Sequence, residues 1–125
     1  MAAKKAQVYK CEHCGLVIEV LSQGVTPHCC GEKMVLQDEN SIDASKEKHI
    51  PVLHDMGLTT KISIGSVEHP MQEDHYIEWV EVINGEYVNR KFLKPGDKPV
   101  AEFYVHSQPG IIVRAYCNKH GLWKA

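Results

Sequence analysis

Eight histidines and five cysteines stand in this 125-residue chain, and several are spaced as metal ligands are. Cys11-Glu12-His13-Cys14-Gly15 is a Cys-x-x-Cys-Gly knuckle. Its glycine lets backbone N–H groups turn towards the sulfurs, so two thiolates can face one tetrahedral ion. The partner pair, Cys29-Cys30-Gly31, is adjacent rather than two apart. Adjacent cysteines cannot form the same relaxed knuckle, so a four-sulfur site built from Cys11, Cys14, Cys29 and Cys30 is expected to be angularly distorted. Iron and zinc both accept four sulfurs, and donor identity does not separate them. A structural zinc site and a pair of disulfides are the competing uses of the same residues. His13, inside the knuckle, reads as a solvent-facing spacer; His28 could replace a cysteine but is not needed where four thiolates are available.

A second set of donors is spread more widely. His49 closes the charged turn Lys46-Glu47-Lys48, His69-Pro70-Met71 sits in a loop held by proline, and His75 follows at the start of a strand. Cys117-Asn118-Lys119-His120-Gly121 is a Cys-x-x-His pair whose spacing lets sulfur and nitrogen reach one metal. Taken singly, any of these histidines has an ordinary structural use. Taken together, three loop or strand-end regions offer soft or imidazole donors, and antiparallel topology can gather such ends. His54 and His106 lie in or beside strands without neighbouring donors and are expected not to be ligands.

The elements that must position these groups are strands. Residues 1–37 make a unit too small for a self-sufficient core, since chains below about 40 residues usually need a metal, disulfides or a partner. Residues 38–41 are polar and read as a linker. From residue 42 to 125 the pattern is β: 61–64 alternates, and 76–83 is rich in β-branched and aromatic residues. That strand runs into Asn84-Gly85, a strong hairpin signal, and returns through 87–92. Further strands are expected at 101–105 and 111–116, parted by Pro109-Gly110. Short strands at regular spacing indicate an antiparallel sandwich or barrel. A turn at 43–46 is the single helical candidate.

Composition narrows the function classes. With 14 basic and 16 acidic side chains the formal charge is −2, which gives no electrostatic reason to expect nucleic acid or an anionic membrane as partner. No apolar run approaches the roughly 20 residues of a membrane span. The first residues carry two lysines with no apolar stretch behind them, so no signal peptide is expected. The cytoplasm is the expected compartment, where thiols stay reduced and clustered cysteines more often hold metal than form disulfides. Five cysteines also cannot all pair within one chain.

Tyr-Lys-Cys-x-x-Cys-Gly, Cys-Cys-Gly, Glu-Lys-His, His-Pro-Met with His75 and Trp79 after it, Phe-Leu-Lys-Pro-Gly and Tyr-Cys-Asn-x-His-Gly occur in this order along the chain. In these motifs the sequence resembles desulfoferrodoxin, the two-iron form of superoxide reductase, over essentially its whole length. The resemblance implies an all-β chain: a small rubredoxin/desulforedoxin-like metal domain followed by an immunoglobulin-like antiparallel β-sandwich, as a homodimer. It implies two iron ions per chain. Cys11, Cys14, Cys29 and Cys30 would hold the first. His49, His69, His75 and His120 would lie in a plane around the second, with Cys117 axial and the sixth position open. The match departs locally at Asp74, where a lysine is expected before His75, which alters the charge near the site mouth.

The activity implied is one-electron reduction of superoxide to hydrogen peroxide without oxygen release, with electrons from a rubredoxin-like donor. A ferrous ion with an open position can supply the electron. Lys48, beside His49, would add positive potential at the mouth and steer the anion. Glu47 would occupy the open position after turnover. A zinc-ribbon-like module joined to a β-sandwich that mediates protein contacts is the competing reading, and it has no need of the histidine set with Cys117. A non-haem iron oxygenase would use two histidines and one carboxylate.

Overall fold

The computed structural model describes residues 2–41 and 49–125. The helical candidate at 43–46, and Glu47 and Lys48, lie outside the described residues. Every described regular element is a strand, and contacts divide the chain into two compact units, Met1–Asp38 and Glu39–Ala125.

The first unit contains β1 (Ala2–Ala3), β2 (Val8–Lys10), β3 (Val17–Glu19), β4 (Gly24–Val25), β5 (His28–Cys29), β6 (Glu32–Lys33) and β7 (Val35–Leu36). They form the small sheets β3-β2-β7, β1-β4 and β5-β6. The buried cluster is Ala3, Tyr9, Cys11 and Met34, with Ile18, Val20 and Cys29 packed against it. Two of these seven residues are cysteines whose sulfurs belong to the four-sulfur group, so the apolar packing is slight and the sulfurs sit at its edge.

The second unit contains β8 (Pro51–Asp55), β9 (Thr60–Ile64), β10 (Ile77–Asn84), β11 (Tyr87–Phe92), β12 (Val100–Phe103), β13 (Ile112–Cys117) and β14 (Gly121–Lys124). One sheet runs β11-β10-β13-β14 and the other β12-β9-β8, with neighbouring strands antiparallel. Ile62 and Ile64 from β9, Val80 and Val82 from β10, Ala101 and Phe103 from β12, and Val113 and Ala115 from β13 share one buried cluster. Alternate residues of both sheets therefore fill one interior, as a sandwich requires.

Two details set the register near the site. The β10–β11 hairpin closes as the sequence leads one to expect, but Asn84 is still paired, to Tyr87, and Gly85-Glu86 form the two-residue loop. Gly85 has φ +60° and Glu86 is not left-handed, which is the pattern of a type II′ turn with glycine first. In β10 a register shift between Ile77 and Trp79 interrupts pairing with β13. This bulge reverses the alternation, so Ile77 shares the interior with Val80 and Val82 and lies opposite Cys117. β8 follows His49 and contains His54, where the sequence leads one to expect a strand, whereas β14 is a strand that the sequence pattern does not single out. Asn40, in the stretch read as linker, is attached to the second unit: its N–H donates to the Leu122 carbonyl (2.9 Å) and its carbonyl accepts from the Lys124 N–H (2.9 Å).

Two candidate metal centres

The first centre grows from two tight turns. In the knuckle, the Gly15 N–H donates to the Cys11 carbonyl (2.9 Å) and the Cys11 N–H to the Leu16 carbonyl (2.8 Å). Gly15 takes φ +83°, which a Cβ would strain. The second pair is explained by the β5–β6 hairpin. Cys29 pairs with Glu32, so Cys30 and Gly31 are its two loop residues, and both are left-handed, at φ +53° and +79°. That is a type I′ turn. One cysteine ends the strand and the next begins the turn, which lets adjacent residues point their sulfurs at one place at the cost of a strained Cys30.

The sulfurs of Cys11, Cys14, Cys29 and Cys30 lie within 4.8 Å of one another. Cys14 Sγ is 3.6 Å from Cys29 Sγ, and Cys29 Sγ is 3.9 Å from Cys30 Sγ. A tetrahedron with metal–sulfur bonds of roughly 2.3 Å has edges of about 3.8 Å, so the spacing fits an ion. All five cysteines are free thiols, which sets aside the disulfide reading. The Cys14 backbone N–H donates to Cys11 Sγ at 3.4 Å. That hydrogen bond is the main cause that lowers the Cys11 thiol to about 6, against the opposing effect of burial. Cys29 is pushed up to about 12, first by its contacts with the Cys14 and Cys11 sulfurs, and Cys30 is also raised, first by Cys11. Crowded sulfurs hold protons that a cation would displace, so loading this site releases protons and acid opposes it.

The second centre lies at one end of the sandwich. His49 precedes β8, His69 and His75 sit in the loop between β9 and β10, Cys117 ends β13, and His120 stands in the turn to β14. That turn needs Gly121, at φ +84°, to pair back with Cys117 across three loop residues. The His69–His75 loop is braced by the reciprocal bonds of Gln72 and His75 (2.9 and 3.1 Å) and by the Gly96 N–H on the Met71 carbonyl (2.9 Å).

The four imidazoles close a ring. Centroids are 4.6 Å apart for His49–His69, 5.0 Å for His69–His75, 5.1 Å for His75–His120 and 4.9 Å for His120–His49. Neighbouring planes are inclined by 62° to 81°. His49 Nε2 and His120 Nδ1 are 3.1 Å apart, close to the 3.0 Å expected between adjacent nitrogens on bonds of roughly 2.1 Å. Cys117 Sγ lies 3.9 Å from His120 Nδ1, and it joins His49, His69 and His75 in a group whose donor atoms all fall within 4.8 Å. His69 Nδ1 donates to the Pro70 carbonyl (2.7 Å), which places the ring's lone pair on Nε2. His49, His69, His75 and Cys117 are buried, whereas His120 is exposed. Five donors exceed the four of a closed zinc site and fit a larger coordination number.

The other histidines make different contacts: His13 with Glu32 (3.0 Å), His28 with the Thr26 carbonyl, His54 with Ser63 and His106 with the Gly57 carbonyl. Two residues around the second centre escape sequence reading. Trp123 stacks on His49 at 4.4 Å and 14°, and its Nε1–H donates to the His120 carbonyl at 3.1 Å. Asn118 bonds the backbone on either side of His75. An indole near the end of the chain and an amide in a turn carry no local signal of such contacts.

Comparison with known proteins decides the family. Residues 41–125 match the family described as Desulfoferrodoxin, and residues 3–37 match its N-terminal domain. The chain belongs to the desulfoferrodoxin family. Its relatives include a desulfoferrodoxin homolog of Archaeoglobus fulgidus, 51% identical over 95% of both chains. Another is the desulfoferrodoxin of Nitratidesulfovibrio vulgaris, 48% identical over 95% of this chain and 94% of that one. In fold, the superoxide reductase from Treponema pallidum matches 98% of this chain and 99% of its own, with TM-score 0.75 and 24% identity. The one-iron superoxide reductase from Giardia intestinalis covers 64% of this chain and 96% of its own, with TM-score 0.57 and 34% identity. The four-cysteine group and the group of four histidines with Cys117 match the two iron centres of the desulfoferrodoxin family. Among the described residues no helix is long and apolar enough to cross a membrane.

Proposed function

We propose that this chain is a superoxide reductase that works at the histidine–cysteine centre. The observation that carries this reading is the closed ring of four imidazoles, three buried and one exposed, with the Cys117 sulfur beside it. His49, His69, His75, His120 and Cys117 would hold an iron ion, and five protein donors would leave it able to take a small ligand. Ferrous iron held there would supply the single electron that, with two protons, turns superoxide into hydrogen peroxide.

The chain's own residues do the rest. Four neutral imidazoles and one thiolate cancel only one of the two charges of a ferrous ion, so the site attracts an anion. As a thiolate ligand, Cys117 would add electron density to an iron held there. Lys48, next to His49 in the sequence, steers superoxide to the mouth. Glu47, two residues before His49 in the sequence, would supply a carboxylate ligand to the ferric ion after turnover, a role that rests on the family resemblance. Protons arrive from water, because the exposed ring of His120 puts solvent at the edge of the site.

Cys11, Cys14, Cys29 and Cys30 leave no position open, so the first centre passes electrons or braces its domain and does not bind substrate. A rubredoxin-like donor, a cytoplasmic setting and a homodimer complete the proposal and rest on the family resemblance.

The test mixes reduced protein with superoxide. One hydrogen peroxide per superoxide, with no oxygen evolved, is the expected result; oxygen at half the superoxide consumed would make the protein a dismutase instead. In Lys48→Ala the association rate should fall and depend less on ionic strength, and an unchanged rate under pulse radiolysis would remove Lys48 from the mechanism.

A further inference from the structure

We propose that Asn118 is a positioning residue that sets the angle between the Cys117/His120 turn and the strand entrance carrying His75. This rests on the reading that these residues hold the second iron.

Asn118 lies between the two donors of the Cys-x-x-His turn, and its side chain reaches across to the β10 side of the site. The Tyr76 backbone N–H donates to its Oδ1 at 2.9 Å, and its Nδ2–H donates to the Asp74 carbonyl at 3.1 Å. One amide thus grips the chain immediately before and immediately after His75. A third bond runs between backbones, from the Asn118 N–H to the Tyr76 carbonyl at 3.2 Å. Regular pairing in this region stops at Ile77 and Cys117, where the β10 bulge begins. Beyond it, among the described residues, β10 and β13 have no further paired positions, and the Asn118 bonds to Tyr76 and Asp74 join the turn to the chain around His75.

The amide does that work with both of its functional ends. A carboxylate could accept from Tyr76 but could not donate to Asp74. An aliphatic residue could do neither. Groups that orient metal ligands typically change metal affinity by about 10–100-fold when removed. The two side-chain bonds of Asn118 act on one ligand residue while their source is covalently next to another. Losing them should move His75 relative to the Cys117 sulfur, and with it the thiolate-to-iron electronic transition.

The test compares wild type, Asn118→Ala and Asn118→Asp as two-iron proteins. Three readouts are taken: the rate of iron loss to a chelator from each centre, the position of the thiolate-to-ferric band, and hydrogen exchange at the Tyr76 amide. Asn118→Ala should lose iron from the second centre at least tenfold faster than wild type, with a shifted band and faster Tyr76 exchange. The four-thiolate spectrum and its rate of iron loss should stay unchanged. Asn118→Asp, which keeps one bond, should protect Tyr76 while still shifting the band. Wild-type rates and band position in both variants, or equal acceleration of loss from both centres, would overturn the proposal. Iron retention by the wild-type protein tests the metal reading itself, and the difference between wild type and variant tests the role of Asn118, so the two can fail separately.

Discussion

Cys29 and Cys30 show how a demand for chemistry is met by backbone geometry. Adjacent sulfurs diverge on a regular strand, and the hairpin solves this by ending β5 at Cys29 and placing Cys30 in the first left-handed position of the turn. The distortion expected from the sequence has this cause. Which turn would absorb it is not readable in Cys-Cys-Gly, because the φ of Cys30 depends on the pairing of Cys29 with Glu32. Cys14 is exposed, unlike the buried Cys11, and offers the least disruptive way to open this centre. Cys14→Ser should lose the four-thiolate spectrum and leave superoxide reduction within about twofold of wild type, since every donor of the histidine–cysteine group comes from the second unit and the two donor sets share no residue. Stopped-flow kinetics with the second iron still bound would check it, and complete loss of activity would make the first centre an obligatory relay.

At the scale of elements, the sheet β11-β10-β13-β14 is joined by more than its ladder. Glu81 of β10 stands opposite Arg90 of β11 and Arg114 of β13, so a charged row crosses three strands. Glu81 is fully buried and accepts from Arg114 Nε and Nη2 at 2.9 and 2.6 Å, and from Arg90. Arg114, also buried, reaches Glu39 at 3.0 Å. Trp79 and Tyr116 stack next to this row, with the Arg90 guanidinium over the indole. The pairing partners that justify burying Glu81 are 9 and 33 residues away along the chain, so the row is invisible to local patterning. Glu81→Ala would leave the buried Arg114 guanidinium without its main counter-charge and should cost about 3–5 kcal/mol, read as a lower midpoint in urea unfolding. A loss below 1 kcal/mol would mean that Glu39 and solvent compensate fully. The same scale explains what else was legible. The main β-pattern stretches and the existence of the β10–β11 hairpin follow from β-branched runs and turn residues, while its loop falls one residue later, at Gly85-Glu86. β14 and the bulge at 77–79 depend on pairing to Cys117 and its neighbours, which no local window contains.

Across the whole molecule, the two units place two donor sets in different settings. The first unit has little apolar packing beyond Ala3, Tyr9 and Met34, so a metal held by its cysteines would also hold its fold. The second has a full sandwich core and can carry an open site without relying on the metal for stability. Cys-x-x-Cys-Gly and Cys-x-x-His are local patterns that mark Cys11, Cys14, Cys117 and His120 as candidate donors, whereas the full histidine set is what the family resemblance implies. The gathering of His49, His69 and His75 around Cys117 was not local, and only the assembled loops bring it about. The most direct measurement is a metal analysis and visible spectrum of protein purified from its native source, before and after the reduced form meets one equivalent of superoxide. The account predicts two irons per chain, with superoxide producing the thiolate-to-ferric band of the histidine–cysteine centre first. Zinc in the histidine–cysteine site, or superoxide oxidising the four-thiolate centre while the other stays reduced, would contradict it.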